Sequence, residues 1–269
     1  SDLYNLQQYF ILKKCKSITS LVADVRNRER MEDLFKSFQP NLVFHAAAYK
    51  HVPLMEENPY ESVNINIRGT QIVADLALKY NVEKFIFIST DKAVNPTNIM
   101  GASKRIAELY VNCIQKKGTT KFITTRFGNV LGSNGSVIPL FKSQIKNGGP
   151  LTVTHKEIMR FFMTIPEACQ LVLEAGAMGK GGEIFVFDMG ESIKIYDLAL
   201  KMIRLSGLKF PTDIDIKITG LRPGEKIYEE ILANGENMVP TYHNKIMIAN
   251  VKEVDTTLIY QKINNLCNL

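Results

Sequence analysis

The sequence predicts an α/β protein built on a doubly wound parallel sheet, and three observations carry that prediction. Short apolar runs alternate with stretches of helical apolar spacing through the first half of the chain. The run at 84–88 is continuous enough to be a strand buried on both faces. The chain is long, 269 residues with 45% hydrophobic composition, so it can bury one large core or two smaller ones.

In chain order, 20–23 is a strand candidate, and 28–38 is a helix with Met31, Leu34, Phe35 and Phe38 at helical spacing. A second strand is expected over 41–47, and a helix over 70–80 with Ile72, Val73, Leu76 and Ala77 on one face. The strand 84–88 follows, then a helix over 101–115 and a strand over 121–125. Strands separated by helices of this length form βαβ units. The second half has a different texture. Glycines and prolines punctuate 128–150, which reads as loop broken by short elements. Pro166 sits at a helix start and 167–178 continues it; 182–188 is a strand, and 195–205 is a helix stopped by Gly207. A last strand over 215–219 leads into a loop over 220–226.

Charged residues at 22% exclude global disorder. No run approaches the roughly 18 apolar residues of a membrane span, and no signal-peptide pattern opens the chain. Thirty-three Lys and Arg against 27 Asp and Glu give a net charge of +6. That excess is scattered, so it suits an anionic small ligand and argues against nucleic acid. Cys15, Cys113, Cys169 and Cys267 are far apart and form no CxxC pair. They read as reduced thiols of a cytosolic protein, with no metal site.

The chemistry concentrates at one strand end. Ser89-Thr90-Asp91-Lys92 closes the strand 84–88, and open α/β sheets bind ligands at the carboxyl ends of their strands. An adjacent Asp and Lys is also a common surface pair. Met100 and Lys104, however, lie four residues apart at the opening of the next helix and share a face. A lysine near a helix amino-terminus opposes the macrodipole, which points to a ligand that holds it there. The GxGxxG turn that cradles a dinucleotide pyrophosphate does not occur in these residues.

Ser89-Thr90-Asp91-Lys92 and Met100-Gly101-Ala102-Ser103-Lys104-Arg105 resemble the extended short-chain dehydrogenase/reductase superfamily. With the segments 45–53, 126–133, 160–164, 222–226 and 245–249, the chain looks like the nucleotide-sugar 4,6-dehydratases of the capsular polysaccharide biosynthesis group. The resemblance implies a Rossmann-like dinucleotide-binding part over 1–127. It implies a smaller, mostly substrate-binding part over 128–269, with segments returning to the sheet. It also places the first strand, the glycine-rich turn and the second strand ahead of Ser1. On that reading the 269 residues alone are expected to be unstable and to bind no dinucleotide at micromolar affinity.

Residue by residue, the resemblance implies that Asp24 and Val25 contact adenine, and that Ala46, Ala47 and Lys50 line the dinucleotide. Asn66 falls at a cofactor-side asparagine, and Lys104 would hold the nicotinamide ribose. Asp91 and Lys92 would be the acid and the base of a dehydration. Asn129, Ser136, Val137, Arg160, Arg222 and Glu225 would hold the uridine diphosphate part of the substrate. Two of these are arginines, which bind phosphate oxygens bidentately. Met100 departs from the superfamily, which usually has tyrosine there as base. A thioether cannot be one, which leaves Thr90, Asp91 or a water to take the proton of the sugar 4-hydroxyl.

The implied reaction converts UDP-N-acetylglucosamine to a UDP-4-keto-6-deoxy sugar with NAD or NADP, for surface polysaccharide. Lys92 would remove the C5 proton, its pKa depressed by burial and by Lys104, and a desolvated, protonated Asp91 would donate to the departing hydroxyl. The alternatives are a UDP-sugar 4-epimerase and a non-catalytic nucleotide-sugar-binding fragment. A homo-oligomer is expected, in the cytoplasm, on the cytoplasmic membrane face if an anchor precedes Ser1.

Overall fold

A computed structural model describes residues 2–232, 237–251 and 255–267. Its central sheet has six strands. Leu42–His45, Lys84–Ile88, Lys121–Arg126 and Ile184–Phe187 lie side by side in chain order and run parallel. Ile246–Asn250 then adds antiparallel to Ile184–Phe187, and Asn237–Pro240 closes that edge.

The strand period of two sorts the side chains onto two faces. Phe85, Phe87 and Phe122 join a core with the helices Arg28–Phe38, Thr70–Lys79, Ile99–Ile114 and Thr256–Cys267. On the other face Ile123, Phe185 and Phe187 pack against Ala168, Leu171 and Ala175 of the helix Ile165–Met178. Helices on both faces make the sheet doubly wound. Local chemistry sets the helix starts. Asn27, Asn98 and Thr164 each cap one with a side-chain oxygen that accepts a backbone N–H, and Pro166 sits in the first turn of the third.

A smaller lobe has its own core. Phe141, Leu151, Val153, Ile158, Ile195, Ala199, Ile203, Ile214 and Ile216 bring the helices Val137–Lys146 and Ile195–Leu205 onto a two-stranded parallel ribbon, Leu151–Val153 with Ile216–Ile218. Among the described residues no helix is long and apolar enough to cross a membrane.

Two expectations, over 20–23 and 128–150, need correction, and two helical stretches carry no expectation from the sequence. Residues 20–23 form no strand and pair with none among the described residues, and Val22 is 82% exposed. A helix at Asp2–Leu12 was not anticipated. The stretch 52–69 is helical except at Asn58, with Pro53 and Pro59 in first turns, where proline is tolerated. Its last part, Val63–Gly69, is a π-helix running straight into Thr70–Lys79. Finally, 128–150 contains the ten-residue helix Val137–Lys146, with Pro139 again in the first turn.

Candidate active site

A cleft of about 460 Å³ opens between the carboxyl ends of the parallel strands and the smaller lobe. Thr90, Lys92, Met100 and Lys104 line its floor; Ser136, Val137, Arg160, Arg222 and Glu225 line the opposite wall.

The strand Lys84–Ile88 ends in a single 3-10 turn, Asp91–Ala93. Asp91 is buried there. Its Oδ1 accepts from Thr90 Oγ1 at 2.9 Å and from Lys92 Nζ at 3.0 Å, while its Oδ2 has no hydrogen-bond partner among the described residues. Lys92 Nζ also donates to Asn129 Oδ1 at 3.1 Å and stands 3.7 Å from Glu229 Oε1. The Lys92 pKa is therefore not depressed. Burial does act to lower it, but the Asp91 and Glu229 carboxylates outweigh burial and hold the ammonium above the ordinary lysine value.

The depressed lysine is Lys104. It sits in the second turn of Ile99–Ile114, donates from Nζ to the Ile88 carbonyl at 2.6 Å, and lies 4.2 Å above the centre of the Phe87 ring. Burial lowers its pKa to about 7, against the opposing pull of Glu108. Glu108 in turn accepts from Ser89 Oγ at 2.7 Å and from Arg126 through both carboxylate oxygens. This buried ion pair braces Ser89 directly below the strand-end turn.

Four residues expected at the cofactor do not line this cleft. Asp24 is outside the cleft, ion-paired with Arg26 at 2.8 Å, and Val25 packs on the core beside Gly69. Ala46 and Lys50 do line the cleft; Ala47, in the same loop, does not. Asn66 is fully buried and does not reach it either. Its amide clamps the Tyr49 backbone, accepting from Tyr49 N at 2.8 Å and donating to Tyr49 O at 3.0 Å. It positions the cleft loop without touching the space inside.

On the opposite wall Ser136 stands at the N-cap of Val137–Lys146 with its Oγ buried and without a partner among the described residues. The two arginines differ. Arg160 donates to the carbonyls of Met159 and Ile227, pairs with Glu225 at 3.4 Å and lies 3.6 Å from Glu229. Arg222 lines the cleft with no salt bridge among the described residues, so the freer guanidinium is Arg222. Glu229 is absent from the sequence reading. It sits seven residues past Arg222 in a loop with no periodic pattern, and only the folded loop brings it to Lys92.

A mostly parallel sheet wound on both faces, with a polar cleft at its strand ends, is a Rossmann-like architecture. Within it, residues 1–251 match the family described as "Polysaccharide biosynthesis protein", and the chain belongs to that family. It is 53% identical over 249 residues to the capsular polysaccharide biosynthesis protein CapD of Staphylococcus aureus, covering 92% of this chain and 41% of that one. It is 38% identical over 220 residues to a UDP-N-acetylglucosamine 4,6-dehydratase (inverting) of Campylobacter jejuni, covering 80% and 63%. It is 40% identical over 219 residues to a UDP-glucose 4-epimerase of Rickettsia rickettsii, covering 80% and 62%. Among solved structures, Pen from Bacillus thuringiensis superposes with a TM-score of 0.83 at 35% identity, over 97% of this chain and 86% of that one. The chain thus spans about two fifths of CapD and under two thirds of the other two relatives.

Proposed function

We propose that this chain carries the catalytic cleft of a nucleotide-sugar 4,6-dehydratase acting on UDP-N-acetylglucosamine for surface polysaccharide. The observation that most favours dehydration is the Asp91–Lys92 hydrogen bond at the strand end. Elimination needs one group to take a proton from C5 and another to give one to the departing 6-hydroxyl, and this pair offers both within 3.0 Å. A 4-epimerase needs no such pair.

NAD or NADP fits the floor in part. Buried Lys104 and Met100 flank a space suited to the nicotinamide and its ribose, with Ala46 and Lys50 farther along. When bound, the nicotinamide would supply hydride chemistry at the sugar C4 and C6, held beside Lys104 and Met100. Met100 has no titratable proton and serves as packing. The 4-hydroxyl proton has a route through Thr90: as its oxygen takes that proton, its own passes to Asp91 Oδ1, 2.9 Å away. Asp91 is then the acid the next step requires. Its neutralisation also removes the nearest charge holding Lys92 protonated, so burial acts against Glu229 alone. Lys92 gives its proton to cleft water and takes the one at C5, which the C4 ketone has acidified. Asp91 donates to the departing hydroxyl, and Lys92 later returns a proton to C5. The diphosphate is assigned to Arg222, Ser136 and the amino-terminus of Val137–Lys146, which favour an anion.

Incubating the intact protein with UDP-N-acetylglucosamine and NAD or NADP tests the reading. A product lighter by one water supports it. A C4 epimer of unchanged mass refutes it in favour of the second reading, which the epimerase relative keeps open.

A further inference from the structure

Five charged side chains alternate in sign across the cleft: Asp91, Lys92, Glu229, Arg160 and Glu225. Glu229 is the middle one, and its side chain is only 5% exposed. It stands almost equidistant from two cations, 3.7 Å from Lys92 Nζ and 3.6 Å from Arg160 Nε. One cation belongs to the strand-end turn and the other to the smaller lobe.

The loop carrying Glu229 is fixed across the cleft by backbone contacts. The Gly224 carbonyl accepts from Thr97 Oγ1 at 2.9 Å and Asn98 Nδ2 at 3.2 Å, and Lys226 Nζ donates to the Val94 carbonyl at 3.1 Å. Gly224 has φ +71°, and a Cβ there would lie 2.6 Å from Asn98 Cβ, so a glycine is what lets the loop seat. Glu229 is thus held at one place, between two claimants.

We propose that Glu229 is a positioning residue shared by Lys92 and Arg160, and that the share Arg160 takes sets how readily Lys92 gives up its proton. The charged groups facing Lys92 are Asp91 on its own turn, Glu229 from the 222–230 loop and Arg160 from the strand Met159–Arg160. Asp91 and Glu229 favour the ammonium; Arg160 opposes it directly, and opposes it again by drawing on Glu229. Arg160 then assists the base without touching the reacting atoms. The catalytic meaning rests on the dehydration proposed above, whereas the coupling itself is testable with no substrate present.

The test is competitive acetylation of the intact protein with trace acetic anhydride over a pH series, reading Lys92 by mass spectrometry against an exposed lysine. Glu229→Gln should move the Lys92 labelling midpoint to lower pH. Arg160→Gln should move it to higher pH, and that displacement should fall to less than half when Glu229 is also Gln. Arg160→Lys keeps a cation beside Glu229, so it should hold the wild-type midpoint. The proposal is overturned if Glu229→Gln leaves the midpoint in place, or if Arg160→Gln displaces it equally with and without Glu229. It is overturned too if Arg160→Lys shifts it as far as Arg160→Gln does. A purely structural role for Glu229 would lower the melting temperature without moving the midpoint. Failure of this cycle leaves the water-loss assay untouched, so the two proposals fall separately.

Discussion

The Gly101 backbone lies against the carbonyl oxygen of Lys92: a Cβ placed on Gly101 would be 2.2 Å from that oxygen. Helix Ile99–Ile114 and the Asp91–Ala93 turn therefore touch through backbone, with no side chain between them. The contact fixes the direction in which Lys92 leaves the sheet. Gly101→Ala must push the turn away. Overpacking of this kind costs about 1–3 kcal/mol, and each kcal/mol lowers the melting temperature by roughly 2–4 °C in a chain of this size. A thermal melt reads that loss, and turnover should fall more than stability because Lys92 is displaced.

Met100 and Lys104 share one helix face but not one role. Met100→Leu conserves volume and should cost less than about tenfold in turnover. Lys104→Ala removes the buried amine beside the proposed nicotinamide ribose and should cost far more, with a loss of cofactor affinity that equilibrium titration detects. Equal losses in the two variants would assign the sulfur a function that packing does not explain.

His45 makes the fold sensitive to acid. Thr70 Oγ1 donates to the Asn66 carbonyl at 2.7 Å, so it can only accept from His45 Nε2, 2.9 Å away. The ring is buried between Phe85 and Phe87, and burial, aided by Lys104, lowers its pKa to about 3. Between that value and the ordinary 6.5 the unfolded chain binds a proton that the folded chain refuses. Stability should therefore fall as pH falls through this window, by up to about 1.4 kcal/mol per pH unit. Denaturant melts across the window should show a shallower acid slope in His45→Gln than in the wild type.

The sheet-forming half was legible because its signals are local. The helix Arg28–Phe38, the strand Lys84–Ile88 and the helix Ile195–Leu205 coincide with the spans their apolar periodicity marks. Residues 20–23 misled because an apolar run shows propensity for a strand but not the presence of a partner. Pro139 misled in the other direction: proline breaks helix interiors but starts helices well. At the site, residues contiguous in sequence, such as Asp91 and Lys92, could be read directly. Glu229 could not, since it faces Lys92 across 137 residues of chain through the seating of one loop. The difference between Arg160 and Arg222 was equally hidden, because it depends on which carboxylates and carbonyls surround each guanidinium.

That difference predicts unequal contributions to nucleotide binding. Arg222→Gln and Ser136→Ala should each weaken uridine diphosphate binding in calorimetry. The arginine should matter more, by roughly 10–100-fold, as expected for a charge-assisted contact of about 1.5–3 kcal/mol. Ser136→Ala should leave the melting temperature of the free protein unchanged or raised, since it removes a buried oxygen that has no partner among the described residues.

Dehydration through the Asp91–Lys92 pair is tested most directly by running the reaction in deuterium oxide with UDP-N-acetylglucosamine and following C5 by NMR. The wild-type product should be a 4-keto-6-deoxy sugar carrying deuterium at C5. Lys92→Ala should still bind uridine diphosphate yet lose C5 exchange by roughly 10²–10⁴-fold, the usual contribution of a general base. Deuterium entering C5 at the wild-type rate in Lys92→Ala, or a wild-type product that keeps its 6-hydroxyl, would contradict the assignment.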